Sequence, residues 1–225
     1  MVDISNSANK TIITGTADAD YIDNDGSSVK IDAGAGNDYI YSCWGDRVTI
    51  YAGEGNDSIY SCWGDSVTIY AGEGNDSIFN YHGSSVSIDA GDGNDYIDNY
   101  YGTSVTIDAG DGNDSIFNDG NNVSIDACAG NDYIVNNRGS SVTIDAGAGA
   151  DRIYNYGTSG NVYKLSGGAD TIYGYNENDT IYIGSGSYTT VKSGNDFMIS
   201  SGSNSLVLKY CANLKITVKN SAGNV

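Results

Sequence analysis

Apolar and polar positions in this chain repeat as a block. Val86, Ser87 and Ile88 alternate apolar and polar, which predicts a short strand with one buried face. Asp89 to Asp95 reads as a glycine-rich turn, and Tyr96 to Asn99 as a second strand with Ile97 inward. Tyr100 to Ser104 turns back, and the block begins again at about nineteen-residue intervals. One apolar column is Val29, Val48, Val67, Val86, Val105, Val123 and Val142. A second is Ile31, Ile50, Ile69, Ile88, Ile107, Ile125 and Ile144, and a third is Ile40, Ile59, Ile78, Ile97, Ile116, Ile134 and Ile153. Strands this short need neighbours to supply their ladders. A fixed period of this length therefore predicts an all-β parallel β-solenoid, each coil holding two short strands and two turns.

A polar column runs beside the apolar ones: Ser42, Ser61, Asn80, Asn99, Asn118, Asn136 and Asn155. Stacked amides can bond along the solenoid axis, so this column reads as a structural ladder. The chain has no proline, as expected where nearly every backbone NH serves a neighbouring coil. The two turns differ chemically. One carries the phrase Gly, any residue, Gly, Asn, Asp, ending at Asp38, Asp57, Asp76, Asp95, Asp114 and Asp132, with weaker copies ending at Asp151 and Asp170. The other is rich in Tyr, Gly and Ser, or reads Cys-Trp-Gly-Asp after Ser42 and Ser61. One acidic edge and one neutral, aromatic edge are expected.

Coils of such a stack lie roughly 4.8 Å apart. At that separation two carboxylates repel by about 1 kcal/mol in water and several-fold more where partly buried. A row of them would open the stack unless a cation lay between successive turns. The turn offers Asp oxygens and backbone carbonyls, with no thiolate or imidazole. Hard oxygen ligands in a flexible loop suit Ca²⁺, and glycine lets the turn bend its carbonyls toward an ion. Formal net charge is −19, from 29 acidic and 10 basic residues. Nine turn aspartates, counting Asp20 in a divergent first turn, lead to an expectation of roughly six to eight Ca²⁺ in one row.

Ile-Asp-Ala-Gly-Asp-Gly-Asn-Asp-Tyr-Ile at 88–97 resembles the calcium-binding nonapeptide of the repeats-in-toxin, or hemolysin-type, family. In that family the motif occurs twice per coil and builds a parallel β-roll with calcium along both edges. Here it occurs once per coil, and its first glycine is an alanine (Ala33, Ala52, Ala71, Ala90, Ala109, Ala127, Ala146), which favours a single row. The one-motif version is similar to the calcium-bound β-solenoid of an ice-binding domain in large bacterial adhesins, over about residues 12–175. The resemblance implies that the side chains of Asp20, Asp38, Asp57, Asp76, Asp95, Asp114, Asp132, Asp151 and Asp170 are calcium ligands. Carbonyls of Gly34, Gly36, Gly53, Gly55, Gly72, Gly74, Gly91, Gly93, Gly110, Gly112 and Gly130 would complete the shells. In the ice-binding relative a Thr column follows the first conserved glycine of the motif. Here Ala35, Glu54, Glu73, Asp92, Asp111, Ala129 and Ala148 stand there, so ice binding is not carried over.

Three regions are expected: an N-terminal cap and divergent first coil over 1–28, regular repeats over 29–175, and a strand-rich C-terminal cap over 176–225. Strands are predicted there at 180–183, 191–193, 197–200, 206–210 and 214–219. Lys192, Lys209, Lys215 and Lys219 fall in the cap, where lysines discourage end-to-end pairing; a secretion signal is compatible with the same segment. Residues 1–10 hold no apolar run, so neither a cleavable signal nor a membrane span is expected. Family members are typically exported directly, so the resemblance implies an extracellular or cell-surface protein.

Cys43 and Cys62 share a column within disulfide range. Their side chains run parallel on coils already tied together, so a bond is disfavoured. The single histidine, His82, is expected to be solvated and leaves little for general-base chemistry. Carboxylate pairs recur as a lattice, whereas an active site would break the repeat in one place. Tyrosine columns such as Tyr41 and Tyr60 with Phe79, and Tyr81 with Tyr100 and Tyr101, read as packing over the sheets or as a surface for a glycan or protein partner. The acidic balance disfavours nucleic acid and anionic membranes. The sequence therefore predicts a non-enzymatic, exported, monomeric calcium-binding structural or adhesive module whose folding is coupled to calcium. The rivals are an accessory domain of a larger toxin or polysaccharide-modifying enzyme, an ice- or surface-binding face, and a self-associating filament subunit.

Overall fold

A computed structural model describes residues 1–183, 187–211 and 213–220. Its in-register pairing follows the sequence columns. Ile88 lies opposite Ile69 and Ile107, and Ile97 opposite Ile78 and Ile116. Isoleucine thus meets isoleucine across the ladders of the regular coils, and a one-residue slip would turn each isoleucine to solvent.

Among the described residues, two sheets form the walls, of thirteen and eleven strands. The first stacks Asp3–Asn6, Tyr21–Asn24, Tyr39–Cys43, Ser58–Cys62, Ser77–Tyr81, Tyr96–Tyr100, Ser115–Asn118, Tyr133–Asn136, Arg152–Asn155 and Ala169–Tyr173, all parallel. The second stacks Ile12–Thr16, Lys30–Ala35, Thr49–Glu54, Thr68–Glu73, Ser87–Asp92, Thr106–Asp108, Ser124–Asp126, Thr143–Asp145, Val162–Lys164 and Thr180–Tyr182. No helix occurs among the described residues. In the coils up to Asp92 the second-sheet strand runs through the glycine after the alanine position of the motif, as at Gly91, where a turn was expected; from Thr106 to Asp145 it stops earlier, at the Asp. Gly72 pairs with Gly91 and Glu73 with Asp92 as regular ladder partners, because glycine can adopt the backbone that both the ladder and the corner require.

The core is a narrow file. Each regular coil buries the Val, the two Ile and the Ala that replaces the first motif glycine, Ala33 through Ala146. Each buried isoleucine contributes about 2 kcal/mol of hydrophobic stabilisation. The sheet exterior carries a ladder of rings. Tyr21, Tyr39, Tyr60, Phe79, Tyr96, Phe117, Tyr133, Tyr154 and Tyr173 follow one another at centroid distances of 4.6 to 6.0 Å. These ring faces meet other rings, which is cross-strand packing on the outside of the wall.

Parallel pairing continues past residue 176. Thr180–Tyr182 extends the second sheet and pairs in parallel with Thr217–Lys219. Asn204–Lys209 adds to Ala169–Tyr173 in parallel, then turns antiparallel through Asp196–Ser201 and Thr189–Ser193. The switch to antiparallel ends the coil, since a hairpin offers no further parallel crossover. Residues 184–186, 212 and 221–225 of the expected cap lie outside the described residues.

The expectation that Cys43 and Cys62 stay unbonded is corrected: they form a disulfide, with Cα atoms 4.4 Å apart. In-register stacking brings the two sulfurs within bonding reach despite their parallel side chains. Cys128 and Cys211 are thiols.

Candidate metal centre

The turn that ends each motif places its Asp inside. Glycine makes the corner possible: Gly93 has φ +148° and Gly36 φ +110°, a backbone that side-chained residues rarely adopt. A Cβ at Gly93 would also collide with the Gly74 carbonyl of the preceding coil. The chain therefore packs turn on turn, and the Asp that follows points inward from the corner, two residues ahead of the buried Ile column.

Asp20, Asp38, Asp57, Asp76, Asp95, Asp114, Asp132, Asp151 and Asp170 are all buried, none more than 2% exposed. They form a regular chain. The backbone NH of each donates to Oδ1 of the Asp one coil further on. Asp38 donates to Asp57, Asp57 to Asp76 and Asp76 to Asp95, each at 2.7 Å. Asp95 donates to Asp114, Asp114 to Asp132 and Asp132 to Asp151 at 2.8 Å. The file ends with Asp151 donating to Asp170 at 3.3 Å. One carboxylate oxygen per coil is thereby satisfied and fixed in direction.

The second oxygen is not. Oδ2 of Asp38, Asp57, Asp76, Asp95, Asp114, Asp132 and Asp151 is buried and meets no hydrogen-bond donor. Native interiors rarely leave polar atoms unpaired, and an unpaired buried carboxylate oxygen is costlier still. Seven in register are a built feature. No Lys or Arg side chain pairs with them: among the described residues the ion pairs lie at Lys30–Asp32, Lys164–Asp145 and Lys209–Asp196, and at the N-terminus with Asp18 and Asp20.

Electrostatics mark the same atoms. Burial, partly offset by the backbone NH each accepts, pushes Asp57, Asp114 and Asp132 up to about 7. The same balance puts Asp76 and Asp95 at about 6. Asp170 is pushed to about 8 by burial and by the charge of Asp151. Asp20 differs. Burial works against its charge, but hydrogen bonds from the Val2 backbone and from the backbone and hydroxyl of Thr16 outweigh it and hold the carboxyl low. Both its oxygens have protein donors, so the first turn is closed by the chain itself.

The residues fit a row of hard cations. The unpartnered atoms are carboxylate oxygens, anionic when ionised, and they recur once per coil. Among the described residues no three His, Cys, Asp or Glu side chains converge into a cage. An ion here would draw carboxylates from successive coils and complete its shell with backbone oxygens. The glycines named from the sequence occupy the corners on this edge. Carbonyls of Gly91 and Gly110 already accept ladder bonds from Asp111 and Ala129 at 3.1 and 3.3 Å, which leaves one lone pair on each.

Three features were missed in the sequence. Gly147 and Gly149 have φ +83° and +149°, like their counterparts in earlier coils; their Ala-Gly-Ala-Gly-Ala-Asp phrase was the available signal. Asp179, fully buried, closes the interior amide ladder by accepting from the Gly160, Asn161 and Asn176 backbones. Its signal was Asn-Glu-Asn-Asp at 176–179. An outer Asn file also lines the turn, with the Asn75 and Asn94 backbones donating to Asn56 and Asn75 Oδ1 at 2.6 and 2.7 Å.

Four stretches of the chain, residues 45–67, 64–80, 84–99 and 156–189, match the RTX calcium-binding nonapeptide repeat. The last of these runs past Asp170 into the turn that carries Asp179. No match to a curated protein was found.

Proposed function

The chain carries hemolysin-type calcium-binding repeats, and from that premise we propose that it is an exported, non-enzymatic structural module whose folding is coupled to calcium. The observation that carries this reading is the file of seven buried carboxylate oxygens without a donor. Asp38, Asp57, Asp76, Asp95, Asp114, Asp132 and Asp151 would hold the ions, with Asp170 closing the file. Carbonyls of the motif glycines from Gly34 to Gly130 would serve as further ligands. Calcium, when bound, supplies positive charge between carboxylates that otherwise repel. About six to eight ions in one row suit a file of this length.

The protein's own residues do the rest. The Asp backbone NH groups orient each carboxylate, the glycine corners bring successive turns close, and the Val, Ile and Ala columns exclude water. In calcium-poor solution the ionised column opposes stacking, and the chain is loose enough for export. At millimolar extracellular calcium the binding energy becomes folding energy. The lattice character of the carboxylates, repeated in every coil, supports a structural role over a catalytic one.

The test is far-UV circular dichroism during a calcium titration from a chelated start, with magnesium as control. A cooperative gain of β signal with calcium alone is the expected result. A chelated protein that is already fully folded and indifferent to calcium would refute the coupling.

A further inference from the structure

The turn opposite the carboxylate column is pinned from inside by amides. Asn24 donates to the Gly26 carbonyl at 3.0 Å, Asn80 to Gly83 at 3.2 Å and Asn99 to Gly102 at 3.0 Å. Asn118 reaches Gly120 at 2.9 Å and Asn136 reaches Gly139 at 3.0 Å. Each of these amides also donates to the next coil, as Asn80 to Asn99 at 2.8 Å and Asn99 to Asn118 at 2.7 Å. One side chain thus ties its own turn and its neighbour.

Two adjacent coils break this file, with Ser42 and Ser61 in the Asn position. A serine hydroxyl is too short to reach either Gly45 or Gly64 as the amides do. The gap is visible in the polar accounting: Ser61 Oγ and Asn80 Oδ1, both fully buried, have no partner. The residue following each serine is a cysteine, and in the coils that keep Asn from Asn24 to Asn155 it is Asp25, Tyr81, Tyr100, Asp119, Asn137 or Tyr156. Cys43 and Cys62 are buried and bonded to each other. Outside them Trp44 stacks on Trp63 at 5.8 Å, and Trp63 on His82 at 4.1 Å.

We propose that Cys43 and Cys62 form an oxidative staple that replaces the missing amide ties, so that this stretch of the solenoid is locked only under oxidising conditions. The two cysteines are 19 residues apart in sequence and meet only when their coils stack, so the bond follows folding. The oxidant is a small-molecule disulfide. One protein thiolate attacks it, breaks its S–S bond and expels one thiolate. The second protein thiolate then attacks the mixed disulfide and expels the other. Two electrons pass to the reagent, which leaves as two thiols carrying the two protons. This inference does not depend on calcium as the bound ion.

The test starts with folded protein treated with oxidised glutathione. After denaturation two titratable thiols are expected, from Cys128 and Cys211, with a Cys43–Cys62 link in the peptide map. Four thiols would overturn the proposal. Reduction of the native protein with a phosphine should lower the thermal midpoint by about 5–10 °C, and amide exchange should quicken at 42–48 and 61–67. An unchanged midpoint and exchange pattern would also overturn it. Adding Ser42→Asn and Ser61→Asn to the Cys43→Ser, Cys62→Ser protein should recover most of the lost midpoint and remove its dependence on reductant. If the double serine variant does not fold, phosphine reduction of the intact chain still decides.

Discussion

Asp95→Asn separates the two things a column carboxylate does. Asp95 Oδ1 accepts the Asp76 backbone NH at 2.7 Å, and a side-chain amide oxygen can keep that bond. What the amide cannot keep is the negative charge on the unpartnered Oδ2. Without calcium, that charge is a burden. The folded-state carboxyl sits at about 6 against an ordinary value of 3.8. A raised pKa means stability is fully present below pH 3.8 and is lost as pH rises through about 6. At neutral pH the ionised Asp95 therefore costs the fold on the order of 3 kcal/mol, and asparagine does not bear this cost. With calcium the sign reverses. If the two flanking ions each bind about tenfold more weakly, the variant loses about 1.4 kcal/mol per ion. The assay is thermal melting by circular dichroism near neutral pH, once in excess calcium and once in chelator with a stabilising osmolyte so that both proteins start folded. Asp95→Asn should melt several degrees lower than the parent in calcium and several degrees higher in chelator. A variant equally destabilised in both conditions would refute the reasoning, because Asp95 would then be acting as a hydrogen-bond acceptor alone.

The same sign applies to the whole file. In chelator, stability should fall as pH rises from about 4 to 8, through the values of Asp76, Asp95, Asp57, Asp114, Asp132 and Asp170. In excess calcium it should rise over the same window, and urea midpoints across pH would expose a flat or opposite trend. Gly93→Ala should prevent native stacking at its coil, since φ is +148° and the new Cβ strikes the Gly74 carbonyl; loss of β signal or of calcium response is the readout, and a parent-like melt would contradict the corner geometry. Asn118→Leu removes the bonds to Gly120 and Asn136 and strands the Asn99 amide. A cost of about 2–4 kcal/mol is expected in both calcium and chelator, and urea unfolding would reveal a smaller or calcium-dependent effect.

Much of this protein is written in its columns. The nineteen-residue return of Val, Ile and the Gly-Asn-Asp phrase determined a parallel stack, its register and its buried face. A repeated residue in a repeated fold meets its own copies, one coil before and one coil after it. The same logic aligned the Asp residues in one file, which the structure buries. The C-terminal strands were legible but their pairing was not, because it depends on Thr217–Lys219 meeting Thr180–Tyr182, a contact between unlike sequences with no period to announce it. Tertiary structure alone decided which carboxylate oxygen is satisfied. Oδ1 is bound because the neighbouring Asp backbone NH points at it, and Oδ2 is left over, a distinction of direction that composition cannot hold. It also decided the state of Cys43 and Cys62. Their spacing allowed either outcome, and the disulfide follows from where stacking sets the two sulfurs, beside a file whose amide ties stop at Ser42 and Ser61.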